Sequence, residues 1–287
     1  MRTAYFFALA LLIASVSVPI AVSQLSQSIA PRTVVIPSGA LHLKGFLWTP
    51  AGSGPFPAIL FNHGSGTDAA HTGEFAITAA AEKLGPVFVK HDYAFLYLFR
   101  RGQGLSADQG PFMQDILQHE EAAKGKEARK HLQFVLMTKD HLDDVTAGLS
   151  FLKNLPGVDA HRIAVVGHSF GGQLTILAAE RDSTVRAAVT FGAAAAAWEG
   201  SSEVRECLLT AVGKTTAPIM LIHAANDYNT AAGRALAAEL ERLHKPHLLK
   251  IYQRVGDTSD DGHNFVYTDV ALWEDDVFKF LDEYVGR

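Results

Sequence analysis

The residues of this sequence best suited to chemistry are Gly167-His168-Ser169-Phe170-Gly171-Gly172. They follow an apolar run at 162–166 and precede a stretch of alternating apolar and small residues at 173–180. That order spells strand, tight turn, helix. A G-x-S-x-G turn in this setting is a nucleophile elbow, which holds its serine on a strained turn with the hydroxyl pushed out at the end of a sheet. The flanking glycines are required because a Cβ at Gly167 or Gly171 would run into the neighbouring strand or helix.

A serine hydroxyl is a poor nucleophile at neutral pH. It needs a base, and the base needs an acid to orient it. In chain order the acid is expected after a later strand and the histidine near the end. Asp227 lies in Asn226-Asp227-Tyr228, directly after the apolar run 218–223. His263 lies in Gly262-His263-Asn264, in the loop expected between the run 247–252 and a final helix. With 13 histidines present, position has to decide. His244 and His247 fall at a helix-to-strand junction, at the wrong end of the sheet. His168 neighbours Ser169 on a turn where adjacent side chains point apart, and it is kept as a substrate contact. Asp260 and Asp261 are too near His263 in sequence to approach its ring comfortably, and Glu199, after the preceding strand, is the remaining alternative acid.

An acyl-transfer intermediate also needs donors for its oxyanion. One is the backbone N–H of Phe170, at a helix N-terminus. The second is expected from His63-Gly64-Ser65-Gly66, as the N–H of Ser65 or, failing that, of Gly64. Arg101, in Arg100-Arg101-Gly102-Gln103-Gly104, can either hold a substrate carboxylate through paired hydrogen bonds or tie its loop to a nearby acid.

The elements that position these groups are legible as apolar runs. Strands are expected at 33–36, 42–48, 57–62, 93–99, 162–166, 185–191, 218–223 and 247–252, the first two joined by a hairpin at Ser38-Gly39. Helices are expected at 75–84, 141–155, 230–243 and 270–284. Short, continuously apolar strands alternating with helices predict a mostly parallel, doubly wound α/β sheet with helices on both faces. In such sheets the ligand site lies beyond the carboxyl ends of the strands, where every candidate above falls. The charged segment 106–139 departs from the alternation and is expected to form one or two helices over the site mouth or a solvated excursion. The alanines at 193–197 offer small side chains for a pocket or the start of a packed helix.

The 287 residues suit one α/β domain, and 48% are hydrophobic. The net charge of -5 comes without a basic stretch, which argues against a nucleic-acid partner. Arg2, the apolar run 4–18, Pro19 and Ala21-Val22-Ser23 read as a signal peptide cleaved after Ser23, with a single domain over 24–287. The expectation is export to the periplasm or the medium, with no stable membrane association after cleavage. An uncleaved anchor is the other reading of the same run. The single cysteine, Cys207, excludes an internal disulfide and sits in an apolar context. The sequence has no H-E-x-x-H and no Cys/His pairing, so no metal is expected. No feature of the sequence sets an oligomeric state.

Together, His63-Gly64-Ser65-Gly66, Arg101-Gly102-Gln103-Gly104-Leu105-Ser106, Gly167-His168-Ser169-Phe170-Gly171-Gly172, Asn226-Asp227 and Gly262-His263 resemble an α/β-hydrolase of the dienelactone-hydrolase-like group. The resemblance spans most of residues 33–287 and implies no cofactor. Dienelactone hydrolases carry a cysteine nucleophile where this chain has Ser169, a departure that favours an ordinary esterase or a related acyl hydrolase acting on a small ester or acyl compound over a dienelactone hydrolase. A prolyl-oligopeptidase-like peptidase is the alternative enzyme, and a silent binding module on the same fold is the alternative to an enzyme.

Overall fold

The computed structural model describes Met1 and residues 30–66 and 77–286. The expected signal segment lies, apart from Met1, outside the described residues. Among the described residues no helix is long and apolar enough to cross a membrane.

β1 (Arg32–Ser38) and β2 (Leu41–Trp48) form an antiparallel hairpin whose register closes at Ser38 opposite Leu41. Gly39, at φ +58, takes the left-handed position that this two-residue turn requires. β3 (Phe56–Asn62), β4 (Ala94–Phe99), β5 (Val158–His168), β6 (Ala187–Phe191), β7 (Ile219–Ala224) and β8 (His247–Tyr252) complete one sheet, in the order β1-β2-β4-β3-β5-β6-β7-β8. From β4 to β8 every pairing is parallel, and β2 runs antiparallel to both of its neighbours.

The central strands are apolar on both faces because each face meets its own core. Ala58, Leu60, Ile163 and Val165 face one core with residues of α4 (Leu142–Lys153), α5 (Phe170–Arg181), α6 (Ser202–Lys214) and α7 (Ala231–Arg242). Ile59, Phe61, Ala164 and Val166 face the other with residues of α1 (Ile77–Lys90), α8 (Ser259–Thr268) and α9 (Val270–Tyr284). This period of two along each strand is what burial on both faces demands.

The irregular segment forms α2 (Met113–Lys124) and α3 (Lys126–Leu136), split by Gly125 at φ +89 and joined to α4 by a wide turn at Met137–His141. α3 has no fully buried residue. One expectation needs correction. His263 belongs to α8, where a loop was expected, and that helix is opened by a capping box between Thr258 and Asp261. Of the two readings of the alanines at 193–197 the helix start fails, since they lie in turns, and Ala194, Ala195, Ala196 and Ala197 line a cavity instead. α6 was not foreseen, although Ser201 caps it at the N–H of Val204 and Val204, Leu208, Ala211 and Val212 recur at helical spacing.

Candidate active site

Ser169 occupies the step from β5 to α5 with φ 55 and ψ -118, a strained backbone for a residue with a side chain. The turn is pinned by Ser169 N donating to Phe191 O at 2.8 Å. The glycines around it leave no alternative. A Cβ on Gly167 would lie 2.4 Å from Gly171 O, and one on Gly171 would lie 2.0 Å from Asn62 O and 2.3 Å from His63 O. The elbow is therefore wedged between α5 and the end of β3.

Asp227 follows β7 and His263 projects from α8, and the fold brings them together. His263 Nδ1 donates to Asp227 Oδ1 at 2.6 Å, and Tyr228 N donates to the same oxygen at 2.7 Å. Burial alone would raise the Asp227 pKa, but hydrogen bonds from His223 and His263 outweigh it and bring the value down to about 2. Gly192 makes room for the pair, since a Cβ there would sit 2.9 Å from the His263 ring and 3.1 Å from Asp227 Oδ2. Asn226 ties the loop of Asp227 to the segment leading into α8. Its Nδ2 donates to Val255 O (2.7 Å) and Thr258 O (2.6 Å), and its Oδ1 accepts from Val255 N (2.9 Å).

The rival acids are engaged elsewhere. Asp261 caps α8, Asp260 accepts from the Tyr228 hydroxyl, and Glu199 accepts from Asn229 at 3.3 Å. Ser169 and His263 line one cavity together with Gly64, Ser65, His168, Tyr228 and Tyr267. Ser169 also borders a second cavity of about 290 Å³ with Ser65, Gln133, Phe134, Met137, Phe170 and Ala194. α3 forms part of the wall of this second cavity.

The loop carrying Gly64 and Ser65 is clamped through its carbonyls. Arg100 Nη2 donates to Gly64 O at 2.7 Å, and Gln103 Nε2 donates to Ser65 O at 2.7 Å. His63 Nδ1 lies 2.7 Å from Gly64 O and 3.2 Å from Arg100 Nη2, so the imidazole, the guanidinium and this carbonyl form one polar cluster. A trans peptide points its C=O and N–H in opposite directions, so a donor that holds Gly64 O on one side aims the N–H of Ser65 to the other. The N–H groups of Ser65 and Phe170 have no hydrogen-bond partner among the described residues. Arg100 is fully buried, and loss of solvation lowers its pKa to about 10 despite the attraction of Asp144.

Two expected substrate contacts take different parts. Arg101 ties its own loop to Asp144, donating from Nε (2.9 Å) and Nη2 (2.7 Å), and lines neither cavity. Its paired donors are already spent on an internal carboxylate, so of the two sequence readings the loop-tying one holds. His168 lies in the wall of the first cavity, but Nε2 donates to His263 O at 2.9 Å and Nδ1 accepts from the Tyr267 hydroxyl at 3.2 Å. Burial, followed by the nearness of His263, lowers its pKa to about 3. It holds α8 and offers a substrate no free nitrogen. Sequence reasoning missed Arg100, Gln103, Tyr267 and His223. For Arg100 the signal was adjacent but gave the wrong arginine; for His223 it was the spacing of four from Asp227. Among the described residues no group of three or more His, Cys, Asp or Glu is arranged to hold a metal ion.

The model of the dienelactone hydrolase family matches residues 107–272. The quorum-quenching protein AidA of Acinetobacter baumannii is 26% identical over 161 residues, which cover 56% of this chain and 43% of that protein. This chain thus spans less than half of that curated relative. Among solved structures, the acylaminoacyl peptidase of Pyrococcus horikoshii superposes with a TM-score of 0.62 at 18% identity, over 90% of this chain and 41% of its own. Dienelactone hydrolase from Anabaena variabilis gives 0.56 at 20% identity, over 89% and 97%. Est1E of Butyrivibrio proteoclasticus, solved with ferulic acid bound, gives 0.59 at 21% identity, over 88% and 100%. At these identities the likeness establishes the architecture, the α/β-hydrolase fold expected from the sequence.

Proposed function

Because this chain belongs to the dienelactone hydrolase family and carries Ser169 on a strained elbow, we propose that it is a serine hydrolase that cleaves carboxylic esters with Ser169 as nucleophile, His263 as base and Asp227 as the orienting acid. The observation that carries the reading is the 2.6 Å hydrogen bond from His263 Nδ1 to Asp227, with His263 lining the same cavity as the strained Ser169. An ionised Asp227 keeps the imidazole proton on Nδ1, which leaves Nε2 to take the serine proton.

Ser169 Oγ attacks the ester carbonyl while His263 Nε2 accepts its proton. The oxyanion sits between the N–H groups of Phe170 and Ser65. Collapse of the tetrahedral species breaks the bond to the alcohol, which leaves with the proton from His263. Water then attacks the acyl-enzyme by the same route, and His263 returns the proton to Ser169. The alcohol must meet His263, so it occupies the cavity that His263 lines. The acyl group occupies the other, whose volume of about 290 Å³ lies at the small end of ligand sites and suits a short acyl chain. Peptide-bond cleavage is the second enzymatic reading; it draws on the likeness to an acylaminoacyl peptidase, of which this chain spans 41%.

The test is hydrolysis of p-nitrophenyl esters from acetate to long-chain acids, with an acyl-peptide p-nitroanilide alongside. Wild-type protein is compared with Ser169→Ala, and both are labelled with a fluorophosphonate. The expected result is turnover of short esters and labelling by the wild type, with kcat lower by about a thousandfold or more in the alanine variant. Turnover of the anilide with no ester turnover would move the assignment to a peptidase. A folded wild type that neither turns over nor labels would leave a silent binding module.

A further inference from the structure

Asp227 is held from two sides by histidines, and the proposed reaction uses only one of them. His223, in β7 four residues before Asp227, donates from Nδ1 to Asp227 Oδ2 at 2.7 Å, while His263 donates to Oδ1. The His223 side chain is 1% exposed. A carboxylate only accepts, so a neutral His223 must carry its proton on Nδ1. The far edge of the ring is closed by α7, where a Cβ on Gly233 would lie 2.6 Å from His223 Cδ2 and Nε2. Met220, Leu221, Ile222 and Ala224 of the same strand are all buried apolar residues. A core role alone would be met there by an aliphatic side chain, and a glycine on the facing helix would not be needed.

We propose that His223 is a positioning residue that fixes the Asp227 carboxylate and sets how strongly it draws on His263, an inference that rests on the proposed roles of Ser169 and His263. A carboxylate shares its charge between its two oxygens. A donor on Oδ2 draws density from Oδ1, weakens its hold on the His263 proton and stops the group from rotating. Without His223, Asp227 binds the imidazolium form of His263 more tightly and its orientation is less fixed.

The groups facing these rings come from every neighbouring element. His263 meets Asp227 and the ring of Tyr228 (centroids 4.3 Å) from the loop after β7, and His168 (centroids 4.7 Å) from the end of β5. Asp260 and Tyr267 lie on its own helix, α8, and Asp260 is engaged by the Tyr228 hydroxyl. His223 meets Asp227 and the uncharged Gly233. Of these contacts, the hydrogen bond from His223 is the one that reaches His263 through the far oxygen of its acid.

The test is an NMR titration of His263 in ¹⁵N-histidine-labelled protein, assigned with His263→Ala, together with the pH profile of kcat/KM. Wild type is compared with His223→Leu, His223→Asn and His223→Gln. Asparagine places an amide donor where Nδ1 stood, and glutamine places one nearer Nε2. In His223→Leu the His263 midpoint and the acid limb are expected to rise by about half a pH unit, the shift expected from one ordinary hydrogen bond shared through the carboxylate. The kcat is expected to fall about tenfold, a loss of roughly 1.4 kcal/mol, with KM unchanged. His223→Asn restores the midpoint and most of kcat, and His223→Gln does not. If the leucine variant does not fold, the difference between asparagine and glutamine carries the test. A leucine variant that titrates like wild type, or asparagine and glutamine variants that behave alike, overturns the proposal. A wild type without ester turnover or fluorophosphonate labelling refutes the esterase reading instead, and the titration still decides whether His223 and His263 are coupled.

Discussion

If the Ser65 N–H serves the proposed ester hydrolysis, replacing Arg100 with methionine separates that use of the buried charge from its structural one. The guanidinium contributes a charge-assisted hydrogen bond to Gly64 O at 2.7 Å, worth about 1.5–3 kcal/mol. It also lies 5.5 Å from the centre of the Phe170 ring, worth about 0.5–2 kcal/mol. Against this, its Nε and Nη1 are buried with no hydrogen-bond partner among the described residues, at a cost of about 1–3 kcal/mol each. The two sides nearly cancel. Methionine fills much of the same volume without the charge, so folding stability should change by less than about 2 kcal/mol, within about 8 °C in Tm for a chain of this size. Catalysis should not be spared. Complete loss of one oxyanion donor costs about a hundredfold to a thousandfold in kcat. Here His63 Nδ1 still lies 2.7 Å from Gly64 O, so the Ser65 N–H loses half of its clamp and about a tenfold loss in kcat is expected, with KM unchanged. The assay is steady-state hydrolysis of p-nitrophenyl acetate beside a thermal melt. A folded variant with kcat within about twofold of wild type would refute the clamp. A loss of more than about 3 kcal/mol in stability would show that Arg100 serves the fold.

Two further predictions follow from the same geometry. In Gly171→Ala the new methyl would lie 2.0 Å from Asn62 O and 2.3 Å from His63 O. Both atoms are backbone and cannot rotate away, so the variant should lose about 3 kcal/mol or more, read by urea denaturation, and an unchanged midpoint would refute the wedge. Burial, and after it the nearness of His263, lowers the His168 pKa from the ordinary 6.5 of the unfolded chain to about 3 in the native protein. Between those values the unfolded chain binds the extra proton, so stability is full above about pH 6.5 and falls as the pH drops toward 3. His168→Gln, which keeps a donor for His263 O, should flatten the fall between pH 6 and 4 by up to about 1.4 kcal/mol per pH unit. Urea midpoints at several pH values check this, and an unchanged slope counts against a neutral buried His168. Asp227, lowered to about 2, adds its own loss only at lower pH, as it protonates from 3.8 downward.

Local signals made most of the architecture legible. The strand positions were readable because burial on both faces leaves runs such as Ala58-Ile59-Leu60-Phe61 without a polar residue. The elbow was readable because its glycines satisfy constraints from residues a few positions away, such as the contact between Gly167 and Gly171. α8 was less readable because five of its ten residues (Ser259, Asp260, Asp261, Gly262 and Asn264) favour turns or caps over helix interiors, and its capping box emerges only once Thr258 faces Asp261. The roles of the two arginines could not be assigned from sequence. Arg100 and Arg101 are identical in type and adjacent, and alternation along the chain end sends one to Gly64 O and the other to Asp144, 43 residues away in sequence.

By itself, then, the sequence determined the doubly wound sheet and the strained serine turn, because each follows from periodicity or from contacts within a few residues. The tertiary structure decided which carboxylate meets His263, which arginine aims the Ser65 N–H and that Asp227 carries a second histidine. These depend on pairs such as His263 and Asp227, 36 residues apart, or Arg100 and Gly64, 36 apart, that meet only when the sheet brings the loops of different strands to one end.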